Sequence, residues 1–453
     1  MVLDRRQMMI GGLGIGAGAT AAAGPREARA QAVLAQLDTA TSFGVRPDAS
    51  DDQTGPVQTA MDASALSGTP VFLPAGRYRV GRLRLKSGAQ ISGVPGRTIL
   101  EYAGGGAFLT AKEAEDIRLS GLVLDGGNRP LDKDKGRDGL FAARDVRNLA
   151  VTECRIVASA RNGLALYGCS GKVADCEISG AAGTGLFSED ARGLEIGHNH
   201  VHDCGNNGIQ VWRSAPGEDG TIVSHNRVER IRADGGGSGQ NGNGVNLYRA
   251  GAVLVTSNRI TDCAFSAVRG NGASNCQILG NSCARLGEVA LYAEFAFEGS
   301  IIAQNLVDTA ATGISITNFN DGGRLAVAQG NLIRNLAPPK TGSGHGIGIA
   351  VEADTLVTGN LVENASSVGI QIGWGKYLRD VTATGNIVRQ ARIGIGVSTV
   401  KGAGYALITN NMMSGAKEGA IRAMNHAKPL GSDLALQSSE AFRNLAVFGN
   451  VAL

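Results

Sequence analysis

The sequence predicts an all-β fold, a single-stranded parallel β-helix in which the chain winds through about a dozen stacked coils. The first observation is a short asparagine phrase, His-Asn-Arg-Val at Asn226 for example, that returns nine times between Asn199 and Asn411. The second is a phrase of glycine and alternating aliphatic residues, such as Gly208-Ile-Gln-Val, that follows most asparagine phrases. The third is composition, because 67 glycines and 4% aromatic residues suit a chain that bends often. A repeat of this length is typical of solenoids, in which each repeat is one coil.

The asparagines define one column along the stacked coils. They are Asn199, Asn226, Asn258, Asn281, Asn305, Asn331, Asn360, Asn386 and Asn411. Cys154 and Cys176 fall in the same column in earlier coils, and Asn450 ends it. Asparagine tolerates the left-handed backbone of a tight bend, and its amide can bond to the residues above and below. We therefore predict a structural ladder, with the aliphatic residues two positions later in the core.

Each coil is predicted to contain about three short strands. The glycine phrases alternate with period two, which is typical of a strand that has one buried and one open face. No stretch of the repeats sustains helical spacing for long. The β-helix is predicted to occupy residues 96–453.

The first 95 residues are expected to have other roles. Arg5 and Arg6 precede a weakly apolar glycine and alanine stretch, and Ala28-Arg29-Ala30 offers a cleavage site. Residues 1–30 therefore resemble a twin-arginine signal peptide and not a membrane helix. Recognition by the twin-arginine export machinery implies a periplasmic location. Residues 31–95 are predicted to form a linker and an N-terminal capping segment, with a short helix from about Thr54 to Ala65.

Residues 43–95 resemble the N-terminal cap of the pectate-lyase-like superfamily, in which a helix covers the open end of a right-handed parallel β-helix. The resemblance rests on Phe43-Gly-Val-Arg-Pro-Asp, the helix and Val71-Phe-Leu-Pro-Ala-Gly-Arg-Tyr. Nearly the whole mature chain also resembles the twin-arginine-translocated repetitive β-helix proteins of alphaproteobacteria. Both resemblances imply an architecture and leave the chemistry open.

Net charge and cysteine content bear on the expected partners and on the expected state of the thiols. The formal net charge is +3, and removal of residues 1–30 leaves it near +1. A near-neutral chain gives no electrostatic case for nucleic acid, and no stable membrane insertion is expected. The seven cysteines are expected to be buried thiols, with a Cys154–Cys176 disulfide left open as an alternative.

Two columns of side chains are predicted to face outward from the sheet of the glycine phrases. The first column is Phe141, Ala165, Phe187, Gln210, Asn246, Arg269, Tyr292, Ser315, Gly348, Gln371 and Gly396. The second column is Ala143, Tyr167, Glu189, Trp212, Tyr248, Asn271, Glu294, Thr317, Ala350, Gly373 and Ser398. Aromatic rings beside amides, a guanidinium and carboxylates suit a sugar, since its C–H faces stack on rings while its hydroxyls bond polar groups. The alternative is that Tyr and Trp simply pack well on an exposed sheet.

The predicted partner is an acidic polysaccharide or oligosaccharide. Its binding residues are predicted to be Gln210, Trp212, Asn246, Asn271, Tyr292 and Tyr167. The loop from Ala233 to Asn243 could wall or cover this region.

Proton abstraction beside a uronate carboxylate is the favoured chemistry. Glu189 and Glu294 are the acids of the two columns and lie four coils apart, roughly 19 Å at the strand spacing, whereas a glycosidase needs its carboxylates about 5 to 9.5 Å apart. Arg269 would neutralise the substrate carboxylate, Tyr248 or Tyr292 would transfer protons, and Glu189 or Glu294 would orient them. The predicted function is an exported uronan lyase or C5-epimerase. The alternative class is a non-catalytic glycan-binding or cell-envelope scaffold protein.

No cofactor is predicted. Four of the six histidines, His198, His200, His202 and His225, lie within 28 residues. Exposed histidines beside an asparagine bend are the favoured interpretation, and a metal held by His198, His200 and His225 is the alternative. His345 is likewise interpreted as a turn residue.

Overall fold

The computed structural model describes residues 38–134, 138–237, 239–338, 345–436 and 442–453. These residues form three long sheets, and each coil passes through sheet 1, then sheet 3, then sheet 2. Neighbouring strands of each sheet come from successive coils and pair in parallel, as Val228 pairs with Ile260. The predicted parallel β-helix is confirmed. The predicted signal peptide, residues 1–30, lies outside the described residues.

The strands of the three sheets have the following bounds. Sheet 1 contains Asp38–Thr39, Val71–Leu73, Gln90–Gly93, Arg118–Ser120, Leu149–Thr152, Gly171–Ala174, Leu194–Gly197, Ile222–Ser224, Leu254–Thr256, Cys276–Leu279, Glu298–Ala303, Arg324–Gln329, Ala353–Thr358, Arg379–Thr384, Ala406–Thr409 and Leu445–Phe448. Sheet 2 contains Leu83–Leu85, Leu109–Glu115, Gly139–Arg147, Asn162–Tyr167, Thr184–Glu189, Asn207–Glu218, Asn243–Gly251, Val268–Asn271, Val289–Glu294, Thr312–Ile316, Ile347–Val351, Val368–Ile372, Ile393–Ser398, Ile421–Asn425 and Lys428–Asp433. Sheet 3 contains Gly76–Val80, Thr98–Tyr102, Leu122–Asp125, Arg155–Val157, Glu177–Ser179, His200–His202, Arg227–Ile231, Arg259–Cys263, Ser282–Leu286, Leu306–Ala310, Leu332–Leu336, Leu361–Ala365, Ile387–Arg389, Met412–Ser414 and Val451–Ala452.

The number of coils exceeds the predicted dozen. Within the described residues, sheets 1, 2 and 3 contain 16, 15 and 15 strands. The additional coils precede Gly121, where the asparagine phrase is absent and the sequence offered no marker to count. The last strand of sheet 2, Lys428–Asp433, runs antiparallel to Ile421–Asn425 and ends the sheet as a hairpin.

The asparagine ladder lies at the corner between sheets 1 and 3. Each Asn Oδ1 accepts hydrogen bonds from the backbone N–H and the Nδ2 of the Asn one coil earlier, as Asn226 Oδ1 does from Asn199, both at 3.0 Å. Each Nδ2 also donates to a backbone carbonyl, that of Ile196 for Asn226. The ladder continues to Asn450, which accepts from Asn411. The predicted amide stacking is therefore confirmed.

The conformational part of the ladder prediction was wrong. The left-handed backbone belongs to the residue before each ladder asparagine, such as His198 at φ 57° and His225 at φ 56°. The ladder asparagines are instead buried, because their amides must reach inward to the carbonyls of the preceding coil. Thus the residue before each ladder asparagine adopts the bend conformation, and the asparagine itself makes the stacking hydrogen bonds.

One α-helix, Thr54–Ser67, and a 3₁₀ helix, Ala40–Phe43, cap the N-terminal end, and a second 3₁₀ helix is Phe319–Asp321. The α-helix extends two residues beyond the predicted end and stops at Gly68, which adopts φ 70°. Val57 and Met61 are buried, and the Ser64 hydroxyl donates to the carbonyl of Gln90 in sheet 1 at 3.0 Å. The capping prediction is confirmed.

The core is one continuous apolar column inside the coil, with all seven cysteines buried in it as free thiols. Cys154 and Cys176 lie in successive coils as free thiols, and Cys176 Sγ donates to the Ala174 carbonyl at 3.2 Å. In the described part of the chain, no helix combines the length and the apolar character needed to cross a membrane.

Candidate functional site

The outward columns of sheet 2 form rows across successive coils. Phe187 pairs with Gln210, and the row continues through Asn246, Arg269 and Tyr292. The neighbouring row runs through Tyr167, Glu189, Trp212, Tyr248 and Asn271 to Glu294. The structure thus brings the ten residues predicted for the site onto one face. Their predicted roles remain predictions.

The predicted columns were wrong in two coils, those of Gly139–Arg147 and Ile347–Val351, and kept the predicted register again at Gln371 and Gly396. Phe141 pairs with Leu164 and is fully buried, so the outward position of that coil is Ala142. Arg144, and not Ala143, pairs with Tyr167 in the second column. A slip of one residue moves a side chain to the opposite face of a strand. The glycine of this coil, Gly139, pairs with Asn162 and not with Gly163, so glycine was an unreliable marker of register.

A slip of two residues displaced the columns further along. Ser315 pairs with Ala350, so Ala350 belongs to the first column and Gly348 does not. The second column therefore continues to Glu352, which the prediction left out. Gly346 and Gly348 both precede an isoleucine, and only Gly348 matches Gly313 in register. The two columns therefore contain Glu352 in addition to the two predicted acids, Glu189 and Glu294.

Four rings form an aromatic stripe along sheet 2, which we define as Tyr167, Phe187, Trp212 and Tyr248. Their successive ring centroids lie 5.5, 5.6 and 5.3 Å apart, and the rings are tilted or edge-on. Such tilted contacts are favourable between aromatic quadrupoles. Phe187, Trp212 and Tyr248 are half-buried, so each ring keeps part of its surface open to solvent.

Polar neighbours hold the stripe in place. The Tyr167 hydroxyl donates to the Asp138 carboxylate at 2.9 Å, and the Trp212 indole N–H donates to Asn246 Oδ1 at 2.9 Å. Because these bonds use the polar end of each side chain, the ring orientation is fixed before any ligand binds. Gln210, which accepts from the Thr184 hydroxyl, lies in the same outward row as Phe187 and is buried.

Arg269 lies in a buried ion cluster next to the stripe. Its Nε and Nη2 donate to the two oxygens of Glu294 at 2.7 and 2.9 Å, and its Nη1 donates to Glu288 at 3.1 Å. Glu294 also accepts from Asn271 Nδ2 at 3.1 Å. Burial opposes the charge of Arg269, but the hydrogen bonds and charge of Glu294 raise the pKa of Arg269 above its ordinary value. Two carboxylates therefore already neutralise the predicted carboxylate-binding group.

The loop from Ala233 to Asn243 covers this cluster, apart from Ser238, which lies outside the described residues. A Cβ on Gly239 would lie 2.2 Å from the Arg269 guanidinium, so any larger residue there would displace the guanidinium from its ion pairs. The Gly239 carbonyl accepts from Asn246 Nδ2 at 3.3 Å. The loop thus leaves Arg269 7% exposed and Glu294 1% exposed.

The predicted catalytic residues do not meet at one point. Arg269, Glu294 and Asn271 are in direct contact, and Tyr292 joins them because the guanidinium lies 4.9 Å from its ring centroid. Tyr248 instead contacts Trp212 of the aromatic stripe and the neighbouring Arg249. Glu189 lies in the coil before Trp212, four coils from Glu294.

A cleft opens on sheet 2 beyond the ion cluster, with a volume of about 250 Å³. We call it the sheet 2 cleft and define it by Glu288, Tyr292, Thr317, Glu352 and Trp374, with His345 at its mouth. Burial, and then the charge of Glu294, raise the pKa of Tyr292 to about 12. Glu288 and Tyr292 connect the cleft directly to the Arg269 cluster.

Glu352 is the acid that the sequence-based register missed. The residue is 8% exposed, and its carboxylate accepts from the backbone N–H of Phe319 at 2.8 Å. Burial raises the pKa of Glu352 above its usual range, and the Phe319 hydrogen bond opposes that shift only in part. A carboxyl group with a raised pKa in a cleft is suited to donate or accept a proton near neutral pH.

Trp374 forms the far wall of the cleft between two histidines. His345 stacks on Trp374 at 5.7 Å between centroids, and His426 meets it edge-on at 5.4 Å. His345 precedes the strand Ile347–Val351, as the turn interpretation predicted, but it also lines the cleft. Trp374 is one of only two tryptophans, a signal that sequence reasoning did not use.

The histidines near the ladder have other partners. His198 and His225 stack in adjacent coils at 4.9 Å, whereas His200 bonds Glu229 and His202 bonds Asp203. The described residues contain no group of three His, Cys, Asp or Glu side chains arranged to hold a metal ion.

The fold is that of a right-handed parallel β-helix. A family model described as "Right handed beta helix region" matches residues 217–388, and one described as "Periplasmic copper-binding protein (NosD)" matches residues 120–285. No match was found among curated protein sequences.

Solved structures share the fold at low identity. The pre-mature bacteriophage phi29 gene product 12 is 15% identical with a TM-score of 0.55, over 87% of this chain and 58% of that chain. Its N-terminal fragment is 15% identical with a TM-score of 0.53, over 91% and 71%. The A-module of the Azotobacter vinelandii mannuronan C-5 epimerase AlgE4 is 16% identical with a TM-score of 0.46, over 87% and 100%. The two bacteriophage structures, whose TM-scores exceed 0.5, share the fold alone.

Proposed function

We propose that this protein binds a polysaccharide along the outer face of sheet 2 and acts on it by proton transfer in the sheet 2 cleft. The observation that carries the proposal is the alignment of the aromatic stripe, the ion cluster and the cleft on one face. From Tyr167 to Trp374 this face crosses eight coil steps, roughly 38 Å at the strand spacing. An extended, half-buried aromatic surface that leads into a cleft with an acid suits a chain of sugars.

Glu352 is the proposed proton-transferring group. Burial raises the pKa of Glu352, the direction that a general acid or base requires of a carboxyl group, and the backbone hydrogen bond fixes its position. Glu288 lines the same cleft, but its carboxylate accepts from Arg269 Nη1 at 3.1 Å, so it is already engaged and does not suit the second carboxylate of a glycosidase.

The finer proposal is a uronan lyase or C5-epimerase. The observation that favours it is the contact between Arg269 and Tyr292, since Tyr292 also lines the cleft. Glu294 and Glu288 occupy three of the five N–H donors of Arg269, so a uronate carboxylate would bind the remaining Nη1 and Nη2 donors or displace Glu288. Elimination or epimerisation would then proceed by proton abstraction next to the neutralised carboxylate.

The test is a panel of alginate, pectate, glycosaminoglycans and neutral glycans. Binding is measured first, with Trp212→Ala and Trp374→Ala expected to weaken it and Ile222→Ala, on the outside of sheet 1, expected to leave it unchanged. Turnover is measured by absorbance of unsaturated uronates and by deuterium exchange at C5. Binding without either signal would favour the non-catalytic glycan-binding or scaffold alternative. Turnover by Glu352→Gln at the rate of the original chain would contradict the proposed role of Glu352. Absence of binding to every glycan would overturn the whole proposal.

Export to the periplasm through the twin-arginine machinery is part of the proposal. It is supported by Arg5 and Arg6 in the sequence and by the periplasmic description of the family model that matches residues 120–285. A reporter fused after residue 40 should reach the periplasm, and the Arg5→Lys, Arg6→Lys double variant should remain inside the cell. Equal export of both would contradict this route.

A cofactor-free function is also proposed. Protein produced by its natural export route should contain no stoichiometric metal on elemental analysis. Copper bound at one equivalent and lost in a His198→Ala, His225→Ala double variant would contradict this, and it would make the stacked histidines a metal site.

A further inference from the structure

One outward column of sheet 3 changes character halfway along the molecule. In successive coils it reads Arg155, Glu177, His200, Arg227, Arg259 and Ser282. From the next coil onward it reads Leu306, Leu332, Leu361, Ile387, Met412 and Val451. The same structural position is thus charged or polar in six coils and aliphatic in the six that follow.

These aliphatic side chains are open to solvent. Leu306 is 38% exposed, Leu332 37%, Ile387 37%, Met412 40% and Val451 50%. Such exposure is ordinary for one aliphatic residue, but a contiguous row of them marks an interaction surface.

The neighbouring column across the ladder corner is also uncharged. It runs through Ile301, Val327 and Leu356 in the same coils, and Ile301 and Leu356 are 41% and 38% exposed. Between the two columns, several bend positions are held by glycines such as Gly330 and Gly359, where earlier coils have His198 and His225. One further outward position of sheet 1, Ala303, Gln329 and Thr358 in successive coils, lies between the two columns and carries no charge. We call the two columns and this uncharged strip between them the apolar corner.

We propose that the apolar corner is the interface through which this protein pairs with a second copy of itself. A column of side chains at the coil spacing is best matched by another column with the same spacing, and a second copy provides it. The corner is uncharged, so self-pairing meets no like-charge repulsion. Ion pairs such as Arg334 with Asp308, at 2.7 Å, lie beside the aliphatic column and form a polar rim.

The size of the corner fits a reversible dimer. Its six coils extend roughly 24 Å, and the five residues from one column to the other span at most about 16 Å, which gives an uncharged face of at most roughly 400 Å². A standard interface buries about 800 Å² on each partner, of which the polar rim contributes a large part. Sheet 2 does not take part in this corner, so pairing leaves the sheet 2 cleft open.

Sedimentation equilibrium of the chain without residues 1–30 tests the proposal. The original chain should dimerise with a dissociation constant below about 100 µM. A Leu332→Glu, Ile387→Glu double variant should remain monomeric at the same protein concentrations. Ser282→Glu is the matched control, because it places the same charge in the same column one coil before the aliphatic part. Circular dichroism must show that each variant keeps its β structure.

Disulfide trapping is the second test, and it does not depend on a charged variant folding. All seven native cysteines are buried, so an Ile387→Cys variant presents one exposed thiol near the middle of the corner. Mild oxidation should give a covalent dimer, whereas Ser282→Cys should give little. A monomeric original chain, equal dimerisation of the double glutamate variant, or equal trapping at both cysteines would each overturn the proposal. A monomer that instead binds lipid vesicles through Leu332 and Ile387 would also overturn it and assign the corner to a different partner.

Discussion

Arg269 and Glu294 lie in adjacent coils and form a bidentate ion pair beneath the loop that carries Gly239, with N–O distances of 2.7 and 2.9 Å. The pair is nearly inaccessible, and Glu288 binds the third guanidinium nitrogen, so two carboxylates share one cation. A buried charge that loses its partner is much more costly than the intact pair is favourable. The cluster therefore contributes to the stability of the fold. A test of its chemistry must separate a loss of stability from a loss of activity.

Replacement of Arg269 by Ala should destabilise the fold strongly. It would leave Glu288 and Glu294 buried without their shared cation, so we expect a loss of about 3–5 kcal/mol in the free energy of unfolding. The comparison is Arg334→Ala, which breaks an exposed pair with Asp308 and should cost below about 1 kcal/mol. Urea unfolding measures both. Similar losses in the two variants would contradict the buried-cluster interpretation.

Replacement of one ladder asparagine should also be costly. Asn305 Nδ2 donates to the Ile278 carbonyl and to Asn331 Oδ1, and its Oδ1 accepts two bonds from Asn281. Asn305→Ala should cost about 2–4 kcal/mol, because it leaves several buried groups unpaired. Asn305→Asp has the same shape but turns an acceptor toward two acceptors, so it should cost at least as much.

The control for the ladder is Asn320→Ala. Asn320 is exposed and bonds only the neighbouring Asp321, and its loss should change stability by less than about 0.5 kcal/mol. Thermal unfolding of the three variants should give a midpoint near that of the original chain for Asn320→Ala and lower midpoints for the two Asn305 variants. An Asn305→Asp variant as stable as the original chain would show that Asn305 Nδ2 does not donate to the two acceptors named above.

The thiols should be unreactive in the folded protein. Burial raises the pKa of Cys204 and of Cys283 to about 12, so neither thiolate forms near neutral pH. An aromatic disulfide reagent should label none of the seven cysteines in the folded chain and all seven after denaturation. A count of five after denaturation without reductant would indicate the Cys154–Cys176 disulfide that the sequence left open.

Low pH should destabilise the fold through protonation of Glu229. Burial alone would raise the pKa of Glu229, but hydrogen bonds from Arg230, His200 and Arg227 outweigh it and lower the pKa to about 2. The folded state therefore binds a proton less readily than the unfolded state, and the stability contributed by Glu229 is lost as pH falls from about 4.5 to about 2.

Glu229→Gln should remove that part of the acid sensitivity. The difference in unfolding free energy between the original chain and the variant should be largest at about pH 6 and shrink toward about pH 2. The comparison at fixed ionic strength isolates Glu229 from the other carboxylates. A difference independent of pH would contradict the lowered pKa.

The ladder and the strand period were predictable because both are local and repeat in every coil. Asn226 and Asn258 stack since each coil closes after a similar number of residues, and that regularity is visible in the chain itself. The register of outward side chains was not predictable where a coil has an unusual length. Between Ser315 and Ala350 the chain offered two equivalent glycines, and choosing Gly346 instead of Gly348 hid Glu352 from the candidate site.

The sequence by itself determined that the chain stacks into coils, which residues form the ladder, and that aromatic residues gather on one sheet. The tertiary structure decided which charges meet. Arg269 is neutralised by Glu288 and Glu294, Glu352 lies in a cleft with Trp374, and a row of aliphatic side chains lies open at the corner between sheets 1 and 3. The physical reason is that a repeat fixes the spacing along the stack, whereas side-chain contacts depend on loop paths and on register between coils.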